Sequence, residues 1–152
     1  MVSQTNRIER QVLIRAPLAR VWRALTGIRE FCKWFSAETE SPEFQPGARV
    51  NLISTYEGSC YKEEFFIEIV AIVPERSFSW RWHPGVKLPG EDLSQEPMTL
   101  VEFRLEEAEG GTLVTVTESG FDRLFANRIS RVFGENQAGW KTQMAALERY
   151  LA

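Results

Sequence analysis

An apolar stripe near the end of the chain is the feature that most constrains its fold. Between about residues 128 and 151, apolar side chains recur every three or four positions, which is the spacing of one helix face. The stripe consists of Ile129, Val132, Phe133, Trp140, Met144, Leu147 and Leu151, with Asn136 as its one polar interruption. At about 1.5 Å per residue, this helix would be about 36 Å long. It therefore needs an extended apolar surface to cover, such as one face of a sheet.

Alternating apolar residues predict an antiparallel sheet that supplies this surface. Turn-forming residues separate the segments, as in Pro46-Gly47, Glu57-Gly58-Ser59, Pro74-Glu75 and Gly110-Gly111. The predicted strands are Ile8–Ile14, Ala48–Tyr56, Cys60–Val73, Arg76–His83, Met98–Glu107 and Thr112–Ser119. On the longest of them, Phe65, Ile67, Ile69, Ala71 and Val73 share a face. Such consecutive strands form a sheet with one apolar face.

Two short helices and two loops complete the predicted order of elements. Pro17 suits a first helical turn, and Leu18, Val21, Trp22 and Leu25 follow at helical spacing before Gly27. A second short helix carries Ile28, Phe31, Cys32 and Phe35. Residues 36–47 form a loop, and the long loop 84–97, with three prolines and two glycines, is of a length that often serves a binding site. We expect one α+β domain over residues 1–152, with a curved six-stranded antiparallel sheet wrapped around the long C-terminal helix.

Charge and composition exclude several classes of function. Residues 36–120 carry six basic and sixteen acidic side chains, which argues against nucleic acid as the main partner. No apolar run approaches the ~20 residues of a membrane span, and the N-terminus lacks the apolar stretch of a signal peptide. Two lone cysteines, Cys32 and Cys60, form no disulfide framework, so we expect a cytoplasmic protein.

The sequence contains few residues that could bind a metal or a cofactor. His83 is the only histidine, so a metal site and a histidine-dependent nucleophile are both disfavoured. No glycine-rich phosphate loop is present, because Gly110-Gly111 reads as a hairpin turn. We expect neither a metal nor a cofactor.

The layout itself predicts an internal cavity. One helix is only ~10–12 Å wide, which is narrower than a curved six-stranded sheet, so a hollow of ordinary ligand-pocket size, ~300–1,000 Å³, should remain between them. Strand alternation and helical phase direct Phe65, Trp80, Trp82, Phe103, Phe133 and Trp140 inward, and Phe121 follows the last strand. These rings either pack as an ordinary core or form the wall of a site for a flat or apolar ligand, and both interpretations remain open.

Polar residues among these rings distinguish the two interpretations. Asn136 lies one turn before Trp140, and Glu118 shares a strand face with Val114 and Val116. Glu63 and Arg10 also fall on apolar faces. Either these side chains reach water at the strand ends, or Glu118 and Asn136 form a polar spot that orients a ligand. In the second case Glu118 becomes a candidate general acid or base, and Arg10 could pair with one of the carboxylates.

The ordered set of motifs resembles one known family. The matching pieces are Ala16-Pro17 to Leu25, Trp34-Phe35, Pro46-Gly47, Pro74 to Trp82, Thr115 to Phe121 and Gly139-Trp140. Together they are similar to the activator of heat-shock-protein-90 ATPase homologue C-terminal-like family, within the SRPBCC (START-like, helix-grip) superfamily. The resemblance implies the helix-grip fold, and it covers nearly the whole chain. That superfamily includes lipid carriers, hormone binders, cyclases and co-chaperones, so fold membership does not settle function.

Three functions follow as hypotheses. The preferred one is binding of a small apolar or aromatic molecule between sheet and helix, by Phe65, Trp80, Trp82, Phe103, Glu118, Phe121, Phe133, Asn136 and Trp140. The second is a cofactor-independent cyclase or hydrolase that uses Glu118 or Glu63 with Asn136. The third is a co-chaperone-like regulator of a heat-shock-protein-90-type ATPase. A homodimer also remains open.

Overall fold

Two distant parts of the chain meet in the sheet, because the first strand pairs with the last. The computed structural model describes residues 6–55 and 63–152. Its strands are β1 (Arg7–Ile14), β2 (Ala37–Glu38), β3 (Arg49–Ser54), β4 (Glu64–Val73), β5 (Ser77–Trp82), β6 (Thr99–Ala108) and β7 (Gly111–Ser119). Its helices are α1 (Leu18–Thr26), α2 (Ile28–Phe35) and α3 (Ile129–Tyr150), and a short 3-10 turn covers Phe121–Arg123.

The strands form one antiparallel sheet in the order β1-β7-β6-β5-β4-β3-β2. This confirms the predicted α+β architecture, with a curled sheet packed against the long C-terminal helix and two short helices after β1. The sheet has seven strands rather than six, because Ala37 and Glu38 pair with Ser54 and Ile53 inside the predicted loop 36–47. A two-residue strand is too short to show an alternating pattern in sequence. The predicted turn at residues 57–59 and Cys60 lie outside the described residues.

A β-bulge changes which side chains of β4 face the core. The pairing between β4 and β5 shifts between Ile69 and Ala71. Val70, within the bulge, is exposed; beyond it, Ile72 packs against the core and Val73 is exposed. The prediction that Ala71 and Val73 continue the apolar face of Ile69 is therefore wrong, because one extra residue reverses the alternation.

Aromatic rings from α2 occupy much of the space between the sheet and α3. The Phe31 ring centroid lies 5.8 Å from that of Trp80, and the Trp34 centroid lies 6.2 Å from that of Phe103. Trp140 of α3 reaches the same cluster, with its centroid 5.7 Å from that of Phe103. The short helices thus do more than close the ends of the fold, because their side chains fill its centre.

The C-terminal helix is also held at its far end. Glu30 of α2 accepts hydrogen bonds from Tyr150 Oη and Arg20 Nη1, each at 2.7 Å. This contact ties α3 to α2 and α1. Across the two described ranges, no helix is both long and apolar enough to cross a membrane.

Two glycines within α3 offer a direct test of the helix. Gly134 and Gly139 are both exposed, and a Cβ at either position would meet no atom within 4 Å. Each change to Ala should raise the free energy of unfolding by about 0.5–1 kcal/mol, because Ala restricts the unfolded chain more than Gly does. Urea denaturation followed by circular dichroism measures the effect. The contrasting variant is Gly85→Ala, which should destabilise, since its φ is +79° and its Cβ would lie 2.9 Å from Val132.

Candidate functional site

A fully buried carboxylate lies between the sheet and α3. Glu118, near the end of β7, shares its inward face with Val114 and Val116, as the strand alternation predicted. None of these three side chains has exposed surface. Burying an isolated carboxylate is costly, so its hydrogen bonds decide whether this position is tolerated.

Four side chains donate hydrogen bonds to Glu118. Its Oε2 atom accepts from Trp82 Nε1 at 2.8 Å and from Thr99 Oγ1 at 2.6 Å. Its Oε1 atom accepts from Asn136 Nδ2 and from Trp140 Nε1, both at 2.8 Å. The donors come from β5, β6 and two successive turns of α3, so one carboxylate connects three strands with the helix.

This arrangement satisfies Glu118 with neutral groups alone. None of the ion pairs found in residues 6–55 and 63–152 includes it. Each oxygen accepts two hydrogen bonds, which uses the ordinary capacity of a carboxylate. The bonds also hold the N–H edges of Trp82 and Trp140 toward β7, which fixes the orientation of both indoles.

A groove of about 190 Å³ lies beside this network and is open to solvent. Four rings line it, contributed by Phe35, Phe65, Trp82 and Trp140. Their centroids are close to one another, with 5.9 Å between Trp82 and Trp140 and 6.5 Å between Phe35 and Phe65. The groove is smaller than the several hundred Å³ expected from sequence, because the rings of α2 occupy part of the predicted hollow.

Polar groups of four kinds, namely hydroxyl, carboxylate, imidazole and amide, complete the lining of the groove. Ser54, Glu63, His83, Asn136 and Gln143 contribute them. Asn136 is committed to Glu118, and Gln143 Nε2 donates to the Phe35 carbonyl at 3.1 Å. His83 Nδ1 is buried without a hydrogen-bond partner among the described residues. Among the described residues that line the groove, Glu63 is the only acidic or basic residue other than His83.

A larger depression of about 920 Å³ lies over β2, β3 and β4. The acidic residues that line it, Glu38, Glu40 and Glu64, are exposed to solvent. It lacks the buried indoles and the hydrogen-bond network of the smaller groove. The groove beside Glu118 is therefore the better candidate site, since ligand sites combine apolar walls with a few placed polar groups.

The structure brings together only part of the predicted residue set. Phe65, Trp82, Asn136 and Trp140 line the groove, and Glu118 lies directly behind them. Trp80 and Phe103 are fully buried in the ring cluster and do not line it. Phe121 and Phe133 form a separate edge-to-face pair, 5.2 Å between centroids. Arg10 is exposed, and Glu63 is among the residues that line the groove.

A buried ion pair at the start of α3 was not anticipated from sequence. Arg128 Nε donates to both oxygens of Glu96, at 3.0 and 3.2 Å, and Arg128 Nη2 donates to the Pro84 carbonyl at 2.9 Å. Both side chains of the pair are almost completely buried. These contacts anchor the long loop 84–97 to α3 and so position Gly85 at one end of the groove. A lone Arg before a helix carries no signal of burial in the sequence.

Among the described residues, the remaining reactive groups form no metal site. Burial raises the pKa of the Cys32 thiol on α2. In the described part of the chain, no group of three or more His, Cys, Asp or Glu side chains could hold a metal ion.

A curled antiparallel sheet that grips a long C-terminal helix, with a groove between them, defines a helix-grip protein. The model of one family, Activator of Hsp90 ATPase homolog 1-like protein, matches residues 15–152. The chain belongs to this family, within the SRPBCC superfamily, which confirms the resemblance seen in the sequence. No curated protein matches it in sequence.

Solved structures support the same fold at low sequence identity. Protein MLL2253 from Mesorhizobium loti is 23% identical, with a TM-score of 0.72, over 95% of this chain and 96% of that one. A protein from Arthrobacter aurescens has a TM-score of 0.77 at 15% identity, over 97% and 87%. The Aha1 dimer from Colwellia psychrerythraea has a TM-score of 0.68 at 18% identity, over 99% and 96%. At these identities the likeness establishes the fold alone.

The Glu118 network predicts a large effect of a near-isosteric change. In Glu118→Gln, the new amide nitrogen must face two hydrogen-bond donors that lose their acceptor. The free energy of unfolding should fall by about 2–4 kcal/mol, the cost of two unsatisfied buried donors. Urea denaturation measures this. Glu106→Gln, an exposed change on β6, should stay within about 0.5 kcal/mol of wild type, and equal stability of the two variants would contradict the role given to Glu118.

The single histidine predicts a pH dependence of stability. Burial lowers the pKa of His83 below its usual 6.5, and Arg128 adds to this while Glu96 opposes it. Because the folded-state pKa is the lower one, this contribution to stability is present above pH 6.5 and is lost as the pH falls through the folded-state pKa. Proton NMR of the imidazole should show a midpoint below that of a free histidine. In His83→Gln the unfolding free energy should decrease less between neutral and mildly acidic pH, and an unaltered slope would contradict this.

Proposed function

We propose that this protein binds a small apolar or aromatic molecule in the groove between β4, β5 and α3. The observation that carries the proposal is the set of four rings at the groove, two of them fixed by Glu118. Because the N–H groups of Trp82 and Trp140 donate hydrogen bonds to a buried carboxylate, these indoles present carbon surface to the groove. Because the orientation of these rings is fixed before binding, a ligand can bind without a large entropic cost of ordering the wall.

The size of the groove limits the ligand to about one ring. Its 190 Å³ is below the usual ~300–1,000 Å³ of drug-sized ligand sites. Apolar cavities of about 150 Å³ are known to hold benzene. A single substituted aromatic ring, or an aliphatic group of that size, is therefore the ligand class that fits.

Binding is favoured over catalysis by the same hydrogen bonds. Both Glu118 oxygens are engaged by four donors, and the carboxylate has no exposed surface. A general acid or base must reach the proton that it transfers. For the enzyme hypothesis, Glu63 is the carboxylate left at the groove, and Glu118 serves to position the indoles.

The family name and one neighbour bear on partners. The family description refers to activation of the Hsp90 ATPase, and one solved neighbour is an Aha1 dimer. Interaction with a chaperone is thus the second candidate function for this chain. A homodimer is its candidate assembly. Co-elution with an Hsp90-type ATPase, and the mass of the free protein in solution, test these two points. A cytoplasmic location remains a prediction of the sequence.

A pair of glycine variants tests the groove directly. Gly139 lines the groove and Gly134, on the same helix, does not. Titration of the labelled protein with benzyl alcohol should give saturable NMR shifts at Gly85, Gly139 and the indole N–H groups of Trp82 and Trp140. Gly139→Phe should weaken this binding about tenfold or more by placing a ring in the groove, whereas Gly134→Phe should bind as wild type does.

The contrary results are equally clear. If benzyl alcohol gives no saturable shifts in the wild-type protein, or if shifts are unaffected by Gly139→Phe, the groove is not the binding site. The stability of both variants, measured in urea, serves as the control for folding.

A further inference from the structure

We infer that the groove selects ligands that carry a positive charge, namely small amines or quaternary ammonium compounds with apolar substituents. This inference rests on the proposed function, since it assigns a ligand class to the same groove. It depends on three features, which are the ring wall, the carboxylate behind it and the charge of the groove lining.

The ring wall provides the surface that an organic cation prefers. The π-face of an aromatic ring carries negative charge density, and indole attracts cations more strongly than phenyl does. Two of the four lining rings are indoles, with their centroids 5.9 Å apart, and the Phe65 centroid is 6.1 Å from that of Trp82. A trimethylammonium group placed here would contact several rings at once.

The buried carboxylate makes these indoles better cation acceptors. Trp82 and Trp140 each donate an N–H to Glu118, so both ring systems are polarised by a negative charge at the far side from the groove. All four partners of Glu118 are neutral, and none of the ion pairs within the described ranges includes this carboxylate. In a buried, weakly screened environment, such a charge acts over several ångströms.

The same network engages three of the hydrogen-bond donors that an anion could use. Anions bind to N–H donors and to cationic side chains. The indole N–H groups of Trp82 and Trp140 and the Asn136 amide already donate hydrogen bonds to Glu118. No Lys or Arg is among the described residues that line the groove, whereas Glu63 is. Lys87 lines an adjoining depression, which also includes Glu63, Glu64 and Asp92.

His83 does not reverse this charge balance. Burial lowers the pKa of the His83 imidazole below its usual value, so the ring is neutral at pH 7. Among the described lining residues, the remaining charge is therefore that of Glu63, beside an aromatic wall. An ammonium group with an apolar body satisfies both features.

Two probes of equal shape separate charge from size. Choline carries a quaternary nitrogen, and 3,3-dimethylbutan-1-ol has a carbon in its place. Isothermal titration calorimetry or NMR titration at pH 7 should show that choline binds about tenfold more tightly than the alcohol, or better. Glu63→Gln should weaken choline binding about threefold or more and leave alcohol binding unaltered.

The matched control is Glu64→Gln, the neighbouring residue on the chain. Glu64 is exposed and does not line the groove, so this variant makes the same change in net charge and should bind both probes as wild type does. Equal losses in the two variants would assign the effect to net charge and overturn the inference.

The outcomes also separate this inference from the proposed function. If the alcohol binds as tightly as choline or more tightly, the preference for cations is overturned while the apolar groove stands. If neither choline, the alcohol nor benzyl alcohol binds, both are overturned.

Discussion

One buried carboxylate organises the interior of this protein. Glu118 accepts hydrogen bonds from β5, from β6 and from two turns of α3, all at 2.6–2.8 Å. Apolar packing alone would allow α3 to slide or rotate over the sheet, since contacts between hydrocarbon groups are not directional. Four directional bonds to one residue define a single position for the helix. The orientation of the indoles beside the groove is a consequence of the same bonds.

The groove is small because side chains fill the space over the sheet from two directions. The rings of α2 reach Trp80 and Phe103 from one side, and Trp140 of α3 reaches them from the other. What remains open is the margin between β4, β5 and α3, closed at one end by the loop that Arg128 and Glu96 anchor. The helix-grip architecture therefore permits a ligand site, while its side chains decide how large that site is. This is why fold membership leaves the function of such proteins open.

The chemistry of the groove depends on the hydrogen bonds that its donor groups already make. A groove lined by free indole N–H groups and an amide would suit an anion or a carbonyl group. Here those donors are engaged by Glu118, so the described lining presents mainly ring surface, with Glu63 and His83 among its polar residues. In the proposed function, Glu118 contacts no ligand and still influences which ligands the groove accepts.

The sequence by itself determined the order of the helices and the longer strands and most of the apolar faces, because strand alternation and helical spacing are local properties of the chain. It placed Glu118 and Asn136 on apolar faces and left open whether they meet or reach water. It also predicted that Phe65, Trp82 and Trp140 face one interior. Tertiary structure alone decided the bulge after Ile69, the burial of Arg128 against Glu96 and the separation of Phe121 and Phe133 from the groove. Each of these depends on which distant segment supplies the neighbouring atoms. Spacing along a chain reports the face on which a side chain lies, and only packing determines what it meets there.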